Sequence, residues 1–168
     1  MKKWQTRWRK ICEECKTDEK FARGHRLVKI IMAVWAVIVA ADRLIGVLTN
    51  AYDGSQQSYA LVGGVVLVLA AWLGVHGFIT LAMCLMEVNM AVFLIQFCAT
   101  CFFYKESAQL GLTFFYGIAA ALLVVGSLLL FLNFDIEHYR TQIASFGGKK
   151  REPLFVRTNS RLIRNRKK

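Results

Sequence analysis

The hydrophobic pattern of this chain is one of long uninterrupted apolar runs separated by short polar breaks, not of alternation or of short amphipathic segments. The first run extends from about Leu27 to Leu48, with only Lys29 at one end and Asp42-Arg43 near the other as charged interruptions. A polar stretch, Thr49 to Ser58, follows. From Tyr59 to Tyr104 the only ionisable groups apart from Tyr and Cys are His76 and Glu87. One straight helix over that stretch would reach about 69 Å, more than twice a hydrocarbon core of about 30 Å. It must fold back. The polar cluster Glu87-Val88-Asn89 is the expected reversal, giving runs of about 59–85 and 89–104, and Leu110 to Leu132 forms the last.

These runs predict an all-α integral membrane protein, a four-transmembrane-helix bundle with basic, partly amphipathic helical termini. Its parts are a tail over 1–26, a transmembrane domain over 27–132 with spans of about 27–48, 59–85, 89–104 and 110–132, and a tail over 133–168. Composition agrees: 56% of residues are hydrophobic and the mean hydropathy is +0.41, above the range of ordinary soluble domains.

Charge adds an orientation. The net +11 divides as +6 over residues 1–29, −2 over 30–132 and +7 over 133–168. Lys and Arg accumulate on the untranslocated side, so two basic tails belong on the same side and require an even number of crossings. Both termini are therefore expected on the cytosolic or matrix side, endomembrane and mitochondrial inner membrane being equally compatible. The basic tails flank an apolar block and carry no nucleic-acid-binding signature, so the expected partners are the bilayer, including anionic lipids, and other membrane protein subunits, with no nucleic acid. Met1 to Lys29 is too charged to be a cleavable signal peptide.

Small residues at helical spacing mark close helix contacts in lipid. Gly63, Ala70, Gly74 and Gly77 form such a stripe in the second span, and Gly117 and Ala121 in the fourth. The aromatics of the third span, Phe93, Phe97, Phe102, Phe103 and Tyr104, read as lipid-facing or interfacial. In the N-terminal tail Trp4, Trp8, Ile11, Cys12 and Cys15 share one helical face, ringed by cations that include Arg7, Arg9 and Lys10. Such a helix suits an anionic headgroup layer, so Trp4, Arg7, Trp8, Arg9 and Lys10 are expected at a lipid surface. Residues 133–143 read as a continuation of the last span until Gly147-Gly148 and Pro153 break it.

Ionisable and polar groups inside the spans are the default functional candidates. His76 and Gln96 are the intramembrane polar residues, His76 more in keeping with a hydrogen bond inside the bundle than with metal or haem. Asp42, Arg43 and Glu87 are expected at interfaces, Arg43 reaching to headgroups and Glu87 facing water at the turn. Cys12-Cys15 and Cys98-Cys101 are both C-x-x-C pairs, but the expected topology puts a membrane between them, so no shared zinc site is expected. No nucleophile, base and oxyanion-donor set can be assembled, and neither cofactor nor metal is expected.

Residues 27–133 resemble the COPI-associated family of small late-Golgi tetraspan proteins. The resemblance rests on four closely spaced spans with basic ends, the acidic Glu87 closing span two, an aromatic-rich third span, and the glycine and aromatic pair opening span four, Gly111 to Gly117. The basic residue usual beside that glycine is missing at Ala108 to Gly111. The resemblance implies a non-enzymatic role in vesicle or Golgi membranes. The residues themselves favour a structural accessory or scaffold subunit of a larger membrane assembly, with trafficking and a small homo-oligomeric channel as alternatives.

Overall fold

A computed structural model describes residues 3–48, 54–103 and 110–146. Among these residues the chain is entirely helical: α1 (Lys3–Thr17), α2 (Glu19–Leu48), α3 (Gly54–Val75), α4 (Ile79–Phe103), α5 (Leu110–Leu132) and α6 (Phe134–Ser145). Within them α2, α4 and α5 are long and apolar enough to cross a membrane, and the apolar part of α3, Tyr59–Val75, is shorter.

The central helix is α2. Phe21, Val28, Met32, Trp35, Val39 and Asp42 recur every three to seven positions along its length and are all buried, a stripe with the period of one helix face. Against it α3 runs antiparallel: Gly64 lies beside the Arg43 side chain, and Gly74 beside Met32. Helices α4 and α5 pair in the same sense, with Phe97 on Gly117 and Ser127 donating a hydrogen bond to the Glu87 carboxylate. Ile31 of α2 closes on Gly126 of α5. Adjacent helices thus alternate in direction, and the start of α2, the α3–α4 turn and the end of α5 share one end of the molecule.

The reversal between α3 and α4 falls at His76-Gly77-Phe78, not at Glu87-Val88-Asn89. Gly77 adopts φ +96, the left-handed region that favours glycine. The Phe78 N–H donates to the Leu73 carbonyl at 3.0 Å and the Gly77 N–H to the Gly74 carbonyl at 3.2 Å, the paired bonds of a Schellman ending. Helix α4 then runs unbroken through 87–89, because Glu87 and Asn89 find partners within the bundle. The sequence-expected boundaries 59–85 and 89–104 shift accordingly.

A second correction concerns the last span. Residues 133–143 do not prolong α5. The Asn133 side chain accepts from the Asp135 and Ile136 N–H groups at 2.9 and 3.2 Å, capping a new helix whose first turn carries Asp135 and Glu137. Helix α6 folds back on α2, so closely that a methyl group at Gly24 would overlap the Asp135 carbonyl.

Candidate functional site: an aromatic and histidine cap over the bundle

Three elements converge at the tail end of the bundle: α1, the α3–α4 turn and α6. Asp18 sets the entrance to α2, its Oδ1 accepting from the Lys20 and Phe21 N–H groups at 2.9 and 3.1 Å, an N-cap that starts the helix at Glu19. Its other oxygen meets His138 Nε2 at 2.6 Å and accepts from Gln142 Nε2 at 3.3 Å. One carboxylate therefore caps α2 and ties it to α6. The hydrogen bond from His138, followed by that from the Phe21 N–H, holds the Asp18 carboxyl below its usual range.

Deeper in the cap, Tyr139 is fully buried and packs at a tilt of 52° against Phe21, ring centroids 4.9 Å apart. Its hydroxyl lies 3.0 Å from His25 Nδ1 and donates to the Val75 carbonyl at 3.4 Å, so α2, α3 and α6 meet at one phenol. Burial pushes the Tyr139 hydroxyl well above its ordinary range. His76 Nδ1 donates to the Trp72 carbonyl at 2.8 Å. Its ring lies between Trp72, at 4.0 Å, and Trp8 of α1, at 4.4 Å, with His25 at 5.9 Å from Trp8. His76 thus belongs to the turn at the tail end, in the same cluster as His25, and not to the middle of a span.

Helix α1 brings the amphipathic face read from the sequence, but this face docks on protein. Ile11 is fully buried and Trp8 half-buried. Around the dock, Arg7 lies over the Phe78 ring at 5.0 Å, Lys29 over Trp8 and Lys10 over Phe146, both at 5.8 Å. Arg9, Lys10 and Cys12 are exposed, and Cys15 is half-buried, with burial raising its thiol above the usual range. The side chain of Trp4 lies outside the described residues. Protein therefore covers Ile11 and the buried part of Trp8.

Within the bundle the polar side chains pair across helices. Trp35 Nε1 donates to Asn89 Oδ1 at 2.9 Å, joining α2 to α4. Glu87, expected at an interface, sits inside α4 against Ser127. Asp42 and Arg43, though adjacent, do meet: Arg43 Nε is 3.6 Å from Asp42 Oδ2, and the Tyr116 hydroxyl hydrogen-bonds the buried Asp42 carboxyl. Arg43 lays its stem along Gly64 instead of extending away from the protein. Gln96 is half-buried, and among the described residues its Oε1 has no hydrogen-bond partner.

The small-residue stripe divides. Ala70 is buried, a Cβ at Gly74 would stand 2.7 Å from the Ala82 Cβ, and one at Gly117 would stand 3.0 Å from the Phe97 ring. Among the described residues nothing lies within 4 Å of the Cβ position of Gly63, Ala121 is exposed, and Gly77 forms the turn. Among the third-span aromatics, Phe93 is buried against Phe115 and Tyr116, whereas Phe102 is 77% exposed. Tyr104 lies outside the described residues.

Sequence patterns held two signals for the cap. Asp18 precedes an amphipathic helix start and Asn133 precedes Asp135 and Glu137, both N-cap arrangements. Nothing local marks Trp8 for His76 or Tyr139 for His25, because these contacts join segments distant in sequence. Among the described residues no group of three or more His, Cys, Asp or Glu side chains is placed to hold a metal ion. Fold and site together define an all-α protein with three helices compatible with a membrane and a cap of aromatic and histidine side chains closing one end. No family model, curated protein or solved structure matches the chain.

Proposed function

We propose that the chain is a non-catalytic four-span membrane protein that acts as a structural accessory subunit of a larger membrane assembly. The observation that carries this reading is the apolar face left uncovered on each of four antiparallel helices: Val37 is 67%, Val62 63%, Ile95 68% and Ile118 60% exposed. In water such surface would be costly; in a bilayer lipid or another helix covers it. The interior polar groups Trp35, Asn89, Glu87 and Ser127 are committed to interhelical hydrogen bonds, which suits a structural bundle.

Helix α3 is the span in question. Gly64 beside Arg43 and Gly74 beside Met32 keep it level with α2, and its 22 residues reach about 33 Å, which supports a fourth crossing. Both basic tails then share a side with the α3–α4 turn, in keeping with the positive-inside rule. In a cysteine-free background, single cysteines at Thr80 and Lys167 should label from one side of sealed vesicles and those at Ser55 and Glu106 from the other. Ser55 and Lys167 reacting from the same side would end the four-span reading. For the role itself, the mildly solubilised native protein should co-migrate with a stoichiometric larger complex on size exclusion. Migration as a lone monomer would argue against a subunit.

A further inference from the structure

Between α1 and the start of α4 lies a cleft of about 260 Å³ lined by Arg7, Gly77, Phe78, Thr80 and Leu81. Its polar wall is Arg7. Among the described residues the guanidinium makes one long hydrogen bond, Nη2 to the Ile143 carbonyl at 3.5 Å, and its Nε is buried with no hydrogen-bond partner. No carboxylate among the described residues stands within ion-pair distance of it. A guanidinium has five N–H donors in a planar fork matched to phosphate or carboxylate oxygens; with Nε enclosed beside Gly77, the Nη donors that Ile143 does not take are the ones Arg7 offers the cleft.

The opposite wall favours an anion as well. The first turn of α4 contains no acidic residue, its leading N–H groups lack intrahelical acceptors, and Thr80 is exposed beside them. The close fit at Gly77, where a Cβ would stand 3.0 Å from Arg7 Nε, keeps the arginine against this turn. The rim is apolar: Phe78 is 40% and Leu81 53% exposed. A charged wall with an apolar lip, at the end of the helices that carries the basic α1, fits an amphiphile with an anionic head better than a free ion.

We propose that this cleft binds the phosphate of an anionic phospholipid from the leaflet on the tail side, Arg7 supplying the charged donors and Phe78 and Leu81 meeting the first part of the acyl region. The assignment rests on the membrane reading above. It differs from general attraction of basic tails to a charged surface, because a single arginine and a single cleft carry it.

Alkaline carbonate extraction of membranes comes first: release of the protein would defeat the membrane reading itself, and retention leaves the site to be tested alone. Native mass spectrometry of the full-length protein then compares added phosphatidic acid, phosphatidylcholine and inorganic phosphate. Retention of phosphatidic acid over phosphatidylcholine is expected, with Arg7→Gln weakening it at least about tenfold. Arg26→Gln, which removes an exposed cation that does not line the cleft, should leave retention unchanged. Thr80→Leu fills the cleft from the α4 side with the α1 sequence unchanged, and it should abolish the preference even if Arg7→Gln loosens α1. Equal retention of both lipids, or a preference that survives Arg7→Gln and Thr80→Leu, overturns the site. Inorganic phosphate binding as tightly as phosphatidic acid overturns the lipid as its ligand.

Discussion

The two ends of the bundle are built differently. At the tail end Gly24 admits the α6 backbone, Gly74 admits Ala82, and Tyr139, Phe21 and Ile11 are fully buried between helices. Toward the other end Gly63 has open space around it and Phe102 is 77% exposed, with Asp42, Arg43 and Tyr116 linking α2 to α5. Among the described residues the first end is closed by side chains from α1 and α6 as well as the long helices, the second by side chains of the long helices. Order at the tail end therefore comes from protein contacts, whereas the far end leaves its outer faces to whatever surrounds the chain.

Glycine substitutions put that contrast to the hardest test. Gly24→Ala should cost about 2–3 kcal/mol, since the methyl meets backbone that cannot swing aside. Gly63→Ala should instead stabilise by about 0.5–1 kcal/mol, as a glycine in a helix interior loses more freedom on folding than alanine does. Thermal or denaturant unfolding in detergent reads both. Similar effects at the two positions would erase the distinction between the ends.

A smaller effect separates the middle of the bundle from either end. Trp35→Phe leaves the buried Asn89 amide oxygen without its donor and should cost about 1–2 kcal/mol. Trp35→Phe combined with Asn89→Leu should recover part of that loss, because neither polar partner remains. A double variant as unstable as the sum of its parts would show that the hydrogen bond is not what matters there.

The smallest expected effect is the most specific to the cap. Asp18 is held below its unfolded value near ~3.9. It therefore contributes stability above that pH and loses the contribution as pH falls through the lower folded value. Asp18→Asn retains a side chain suited to the N-cap and removes the charge. Melting temperatures followed downward from pH 6 should fall less steeply in Asp18→Asn than in the parent chain. Identical acid slopes would remove the Asp18–His138 contact from the account of cap stability.

Much of the helical outline was legible in hydropathy. The last span, expected over 110–132, coincides with α5, and the first ends at Leu48 as α2 does. The middle run was misdivided for a physical reason. Polarity marks a turn only when the polar groups face water, and Glu87 and Asn89 instead face Ser127 and Trp35. The turn itself is mostly apolar and announces itself by Gly77, a backbone signal that hydropathy does not weigh. Periodicity likewise disclosed the apolar face of α1 without disclosing what covers it. Trp8 and Ile11 suit a headgroup layer and a protein dock equally, and only the positions of His25, His76 and α6 distinguish them.

The return of α6 to α2 has a consequence for biogenesis. His25 and Tyr139 are 114 residues apart in sequence, so the two halves of this contact leave the ribosome well apart in time. Until α6 emerges, Phe21, Gly24 and His25 lack the surface that covers them. The long helices can form one by one, but closure of the cap must wait for α6, so a chain arrested before Asn133 displays its docking face to the quality-control machinery instead of hiding it.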